Sequence, residues 1–252
     1  MAQELPRRTN FSGPALIRLL SRLLDAHVRE PGQPLPDRLS QWLGWTDAIG
    51  LASALGAAPA VAAAARPGHA EPGAAQAEED YAHVRAMLER AIAELGEPAA
   101  APPRARQKGL GGARGRPAPP VEYSTYRRRY VSLQQNMESA IAALRARLRT
   151  ALASASPGAA RLAVLDAVME QALDAREHEL LSAVPALLER RFLRLRPADP
   201  EPDADSLVGR APASDDWQAV FRRDMQSVLR AELDLRLQPV DGLLAALRSG
   251  AP

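Results

Sequence analysis

Three side chains able to ligate a metal or move a proton recur at one-turn spacing: Glu170, Asp174 and His178, with Glu177 and Glu179 beside them. Placed i, i+4 and i+8, they share a helix face, where carboxylate and imidazole groups can hold zinc or a di-metal pair if facing helices complete the shell. The preceding periodic segment offers a single carboxylate, Glu138. A solvated polar stripe is therefore the expectation, and a bundle-type metalloenzyme is the least favoured reading. His83 follows Glu79 by one turn, an ordinary surface pairing; His69 falls in linker sequence and His27 at a helix end. Gly109 to Gly115 is glycine-rich, but no strand precedes it and no Gly-Lys-Ser/Thr follows, so it is not a phosphate loop. The chain has no cysteine, which removes disulfides, thiolate ligands and Cys nucleophiles. No catalytic residue, metal or cofactor is assigned, and no enzymatic activity is expected.

Binding offers more than catalysis. Arg104, Arg106, Lys108, Arg114, Arg116, Arg127, Arg128 and Arg129 stand against one acid, Glu122, within residues 101–130. Such a segment can contact nucleic-acid phosphates, with affinity that falls steeply with salt. Tyr123, Tyr126 and Tyr130 interleave with the last three arginines. Their i, i+3, i+7 spacing is that of a helix seam, so the tyrosines are expected inside and the arginines outside. Trp42, Trp45 and Trp217 are the candidate anchors for a protein partner, since buried aromatics carry much of the energy of helix docking.

The elements that must position these residues read as helices. Residues 10–57 are expected to form a three-helix mini-bundle, started at Ser12-Gly13-Pro14, reopened at Pro36 and capped again at Thr46. Residues 58–76 are an Ala/Pro/Gly linker. A helix over 77–96 carries Glu78, Glu79 and Asp80 in its first turn, favourable at the positive end of the dipole. Residues 97–120 are a basic Pro/Gly/Arg linker. Residues 121–196 form a long antiparallel, coiled-coil-like hairpin, turned at Ser156-Pro157-Gly158 and kinked or restarted, with a Ser182 cap, at Pro185. An acidic linker over 197–213 leads to C-terminal helices over 214–248, capped by Ser214 and interrupted at Pro239. No stretch alternates with period two, so the fold class is all-α, with disordered linkers between helical pieces.

Composition bounds the same picture. Of 252 residues, 51 are alanine, so the 46% hydrophobic content overstates the core. The 31 arginines and lone Lys108 are nearly balanced by 30 acids, which argues against whole-molecule attraction to DNA or membrane. The charges are nevertheless segregated, because residues 198–216 hold six acids against Arg210. No run of 18 apolar residues is present, so no transmembrane helix is expected. No secretory signal is expected either, because Arg18 and Arg22 interrupt the first apolar stretch. The expected location is the cytoplasm.

Phe11-Ser12-Gly13-Pro14-Ala15-Leu16-Ile17-Arg18-Leu19-Leu20, then Leu39-Ser40-Gln41-Trp42-Leu43-Gly44-Trp45-Thr46-Asp47-Ala48-Ile49, and finally Ala231-Glu232-Leu233-Asp234-Leu235-Arg236-Leu237-Gln238-Pro239 resemble a bacterial family known as a domain of unknown function. The resemblance covers nearly the whole chain and departs in the linkers. It implies genes encoded beside a membrane protein with a long coiled-coil tail and an OmpA-like protein, an arrangement similar to proton-driven motors of Zorya-class anti-phage systems. It implies a cytosolic accessory component and carries no catalytic residues. The resulting expectation is a non-enzymatic interaction protein that binds partner helices, peripheral to the inner membrane through such a complex. A nucleic-acid-binding effector using residues 104–129 is the alternative.

Overall fold

The computed structural model describes residues 14–26, 35–56, 73–96, 122–197 and 216–249. Every regular element among them is a helix, and none is long and apolar enough to cross a membrane. The expected linkers 58–76, 97–120 and 197–213, with the caps Ser12 and Ser214, lie almost entirely outside the described residues.

The centre is α5 (Tyr123–Ala155), 33 residues long. Tyr123, Tyr126, Tyr130, Met137, Ile141, Leu144, Leu148 and Leu152 are buried along it, as the helical spacing predicts. Ser156 ends α5 and at once caps α6 (Pro157–Leu181): its hydroxyl accepts from the Ala159 N–H at 3.1 Å, and Pro157 fills a first-turn position that needs no donor. α6 folds back antiparallel on α5. An ion pair from Asp166 to Arg149 (2.9 Å) joins its start to the end of α5, and a contact of 3.2 Å between His178 Nδ1 and Glu138 joins its end to the middle.

A new helix, α7 (Val184–Leu195), carries Pro185 in its first turn. Ser182 does not cap it. Its hydroxyl donates instead to the Glu179 carbonyl, closing α6. The hairpin is enclosed by further helices rather than standing free. α4 (Ala74–Glu94) runs antiparallel to α5, with Arg147 on Asp80 (2.9 Å) at one end and Arg129 on the Glu94 carbonyl (3.2 Å) at the other. It starts one turn earlier than expected, so Glu78, Glu79 and Asp80 fall beyond its first turn.

α8 (Asp216–Ser249) is parallel to α5 and packs on α1, α4, α5, α6 and α7. The expected break at Pro239 is absent; the helix continues through it. Leu237, Val240, Leu243, Leu244 and Leu247 stay buried on both sides of the proline, so packing offsets the lost backbone hydrogen bond. At the other end of α8, Phe192 meets Tyr123, Tyr126, Trp217 and Phe221 with ring centroids 5.1 to 5.9 Å apart, tilted toward the tyrosines and edge to face with Trp217 and Phe221.

The three N-terminal helices form but do not close on one another as a bundle. α1 (Ala15–Leu24) buries Leu16 and Leu20 against α7 and α8, and Arg194 reaches the Leu23 carbonyl at its end. α2 (Leu35–Trp42) and α3 (Trp45–Gly56) pack on α6. Short helices bury little surface between themselves, so each uses the large helices as its floor. α3 begins at Trp45, and the Asp47 carboxylate, not Thr46, closes its start by accepting from the Gly44 N–H (2.9 Å).

Candidate functional site

Two features stand out against the apolar packing: a charged cluster where α5, α6 and α8 meet, and the outer face of α3.

The cluster is built on the seam itself. On α5, Gln134 follows Tyr130 by one turn; on α8, Glu232 and Arg236 sit one turn apart within a stripe that also holds Leu229, Leu233 and Leu237. All three polar residues are buried, Glu232 completely. Its carboxylate accepts from the Tyr130 hydroxyl (2.8 Å), Gln134 Nε2 (3.0 Å) and Arg236 Nε (3.1 Å). Gln134 also donates to the Leu181 carbonyl at the end of α6 (3.1 Å). Arg236 then reaches outward to Glu177 and Glu138, both at 3.0 Å. One guanidinium thus serves three carboxylates from three helices. Burial, and the Glu232 charge beside it, push the Tyr130 phenol well above its usual range. Desolvation raises Glu177 above the usual carboxylate range, although Arg236 pulls the other way.

The sequence-read constellation lies along the rim of this cluster, and its members are divided among different partners. Glu170 and Asp166 bind Arg145 and Arg149 at 2.6 to 3.3 Å. His178 pairs with Glu138, and Asp174 is exposed. Between them lies a cleft of about 280 Å³ floored by Ile141, Met169, Leu173 and Pro239. Among the described residues, no three His, Asp or Glu side chains come together as metal ligands. Carboxylates already held by guanidinium groups are poor candidates for a cation, so the donor set does not fit a metal centre. His83 and Glu79 are both exposed and share no hydrogen bond.

The tryptophans have three different fates. Trp217 is half-buried and packs on Phe192 at the edge of the aromatic core. Trp42 is half-buried beneath the Arg176 guanidinium, 5.6 Å from the ring centroid, a cation–π contact that ties α2 to α6. Trp45 is 82% exposed. It heads the outer face of α3, where Ile49 and Leu55 are also exposed. The inner face of the same helix lies close to α6: a side chain at Gly50 would meet Val168 Cγ1 at 3.4 Å.

Of the basic candidates, Arg104, Arg106, Lys108, Arg114 and Arg116 lie outside the described residues. Arg127 and Arg128 are exposed on the first turns of α5, with no carboxylate within ion-pair distance among the described residues. Arg129 turns to α4 and is partly covered. The expected division into inward tyrosines and outward arginines is what the structure has.

Sequence reasoning passed over Gln134, Glu232 and Arg236. The signal was present: polar residues at a stripe position of one long helix, matched by a glutamate–arginine pair at stripe positions of another.

A family model for proteins of unknown function, DUF3348, matches residues 1–249. No curated protein and no solved structure matches the chain.

Proposed function

The chain belongs to the DUF3348 family, and from that premise we propose that it is a non-enzymatic interaction protein whose helical body presents a docking face to another protein. The observation that carries this reading is the outer face of α3. Large apolar side chains clustered on an exposed face mark an interaction surface, and α3, covered by α6 on one side, leaves Trp45, Ile49 and Leu55 exposed on the other. Several arginines, by contrast, are engaged in holding helices together: Arg236, Arg145, Arg149 and Arg191 all spend their guanidinium groups on carboxylates of neighbouring helices.

The sequence resemblance extends the reading to a cytoplasmic accessory component of a membrane-motor-linked anti-phage system. The test is co-expression of the tagged chain with its gene neighbours, gentle solubilisation and capture with and without nuclease. Nuclease-resistant recovery of a membrane protein encoded beside it, lost with Ile49→Glu, is the expected result. Capture that ignores Ile49→Glu, or no captured neighbour, removes the reading.

A second reading, nucleic-acid binding, is favoured by one observation: Arg127 and Arg128 are exposed and lack carboxylate partners among the described residues, and they follow the basic run 104–116 in sequence. Its signature is affinity that falls steeply with salt and disappears when these arginines are replaced by alanine.

A further inference from the structure

We infer that the cleft between α5, α6 and α8 is a docking groove for a basic amphipathic helix of a partner protein. It is a second surface, apart from the outer face of α3, and stands without the reading of that face.

The first argument is shape. Arg236 ties α8 to Glu177 at one end of the cleft (3.0 Å). Beyond it the two helices part. α6 stays on α5 through Asp166 and Arg149 (2.9 Å), and α8 keeps to α4 through Arg248 and Glu78 (2.7 Å). Pro239 is the last residue of α8 to line the cleft. The apolar floor is therefore roofed at that end only, and Met169 and Leu173 stay half-covered. Along α6 the lining runs from Asp166 to Glu177, about 16 Å or about three turns of helix. Over that length a partner helix presents anchors at i, i+4 and i+7.

The second argument is charge. Five carboxylates line the cleft against two guanidinium groups. Asp166 and Glu170 are matched by Arg145, and by Arg149 just outside the lining. Glu138 and Glu177 share Arg236, which also holds Glu232, and Asp174 has no ion pair among the described residues. The uncompensated negative charge therefore lies at the Asp174–Glu177 end. Desolvation first, then repulsion from Asp174 and Glu138, raise the Glu177 carboxyl against the pull of Arg236 and Arg145. A cation placed there relieves that repulsion. A metal ion needs several such oxygens at one point, a convergence absent among the described residues. A lysine or arginine needs only one or two, and its aliphatic stem lies along apolar surface, which Met169 and Leu173 supply.

The experiment is fluorescence anisotropy of a labelled peptide of leucine and lysine, spaced to form an amphipathic helix, titrated with the full chain. The wild type should bind it with a Kd on the order of ten micromolar, and more weakly as salt rises. A peptide of the same composition in shuffled order should bind about fivefold more weakly or worse, because its leucines no longer reach the floor together. Asp174→Lys should weaken binding about tenfold or more and Met169→Gln about fivefold. Glu79→Lys, at an exposed site on α4, and Ile49→Glu, on the outer face of α3, should both stay within about twofold. The two cleft variants act through charge and floor separately, so either one with wild-type helix ellipticity is a sufficient test. Absent binding, equal binding of the two peptides, equal losses for Asp174→Lys and Glu79→Lys, or a loss with Ile49→Glu overturns the proposal. Displacement of the peptide by an equal concentration of spermidine would assign the cleft to a diffusible polyamine and overturns it too.

Discussion

Removing either member of the Glu232–Arg236 pair should harm the fold far more than removing both. Glu232 is fully buried and Arg236 is 8% exposed, so neither charge can turn to water when its partner is lost. Arg236→Met leaves Glu232 with two neutral-donor hydrogen bonds, from Tyr130 and Gln134, and no counter-charge; breaking a buried pair in this way costs about 3–5 kcal/mol. Glu232→Met takes the acceptor from the Tyr130 hydroxyl, a penalty of about 1–3 kcal/mol for the stranded donor. Arg236 keeps Glu138 and Glu177, both partly exposed, so the total for Glu232→Met should be about 2–4 kcal/mol. The double variant removes both charges from the interior, and apolar replacement of a buried pair is often close to neutral. The Tyr130 hydroxyl loses its acceptor outright, whereas Gln134 keeps the Leu181 carbonyl and the partly exposed Glu138 and Glu177 can turn to water, so adding Tyr130→Phe should recover about 1 kcal/mol. Urea unfolding followed by helix ellipticity at neutral pH gives all four values. The single costs should exceed the double by a coupling of at least about 2 kcal/mol. Costs that simply add, within about 0.5 kcal/mol, would mean the cluster is not a desolvated unit.

Other outcomes follow from the packing. Leu144→Glu places a charge on a fully buried seam position and should abolish the cooperative thermal transition, whereas Leu165→Glu, on the half-covered face of α6, should leave a folded protein of lower Tm; equal effects would refute the seam assignment. Phe192→Ala removes the ring that four other aromatics touch and should lower unfolding free energy by about 3–5 kcal/mol, measured in urea. Glu177 titrates above its unfolded value, so between those two pH values the folded state alone holds the proton, and Glu177 adds stability as pH falls. At neutral pH its ionised, desolvated form subtracts stability. The stability of Glu177→Gln relative to wild type should therefore be greatest near neutral pH and decline toward about pH 4.5. A difference that grows as pH falls has the wrong sign.

The long helices were legible because their apolar spacing persists for many turns: Tyr123 to Leu152 could be read from periodicity alone. Pro157 and Ser156 fixed the hairpin turn for a local reason, capping and a first-turn proline. Pro239 misled for the complementary reason. Local chemistry disfavours a proline inside a helix, but Leu237, Val240 and Leu244 are buried by neighbours distant in sequence, and that packing decides. The N-terminal mini-bundle failed likewise, since adjacency in sequence says nothing about which large helix a short one will lie on. For the candidate sites, spacing alone could not say that Glu170 would be held by Arg145 and Arg149, or that Trp217 would pack on the core while Trp45 stayed out. Those facts belong to the pairing of helices, not to any one of them.

The position of α8 in the chain sets an order of events. It packs on α1, α4, α5, α6 and α7, and every one of them precedes it in the sequence. Translation delivers it after all the surfaces it covers. Until residues 216–249 clear the ribosome, Tyr126 and Phe192 lack the ring of Phe221, and Tyr130 and Gln134 have no Glu232 carboxylate to accept their hydrogen bonds. A nascent stage with a wet, apolar trough is thus built into the topology, and that trough is where a chaperone would act. A chain truncated before α8 would keep that trough open.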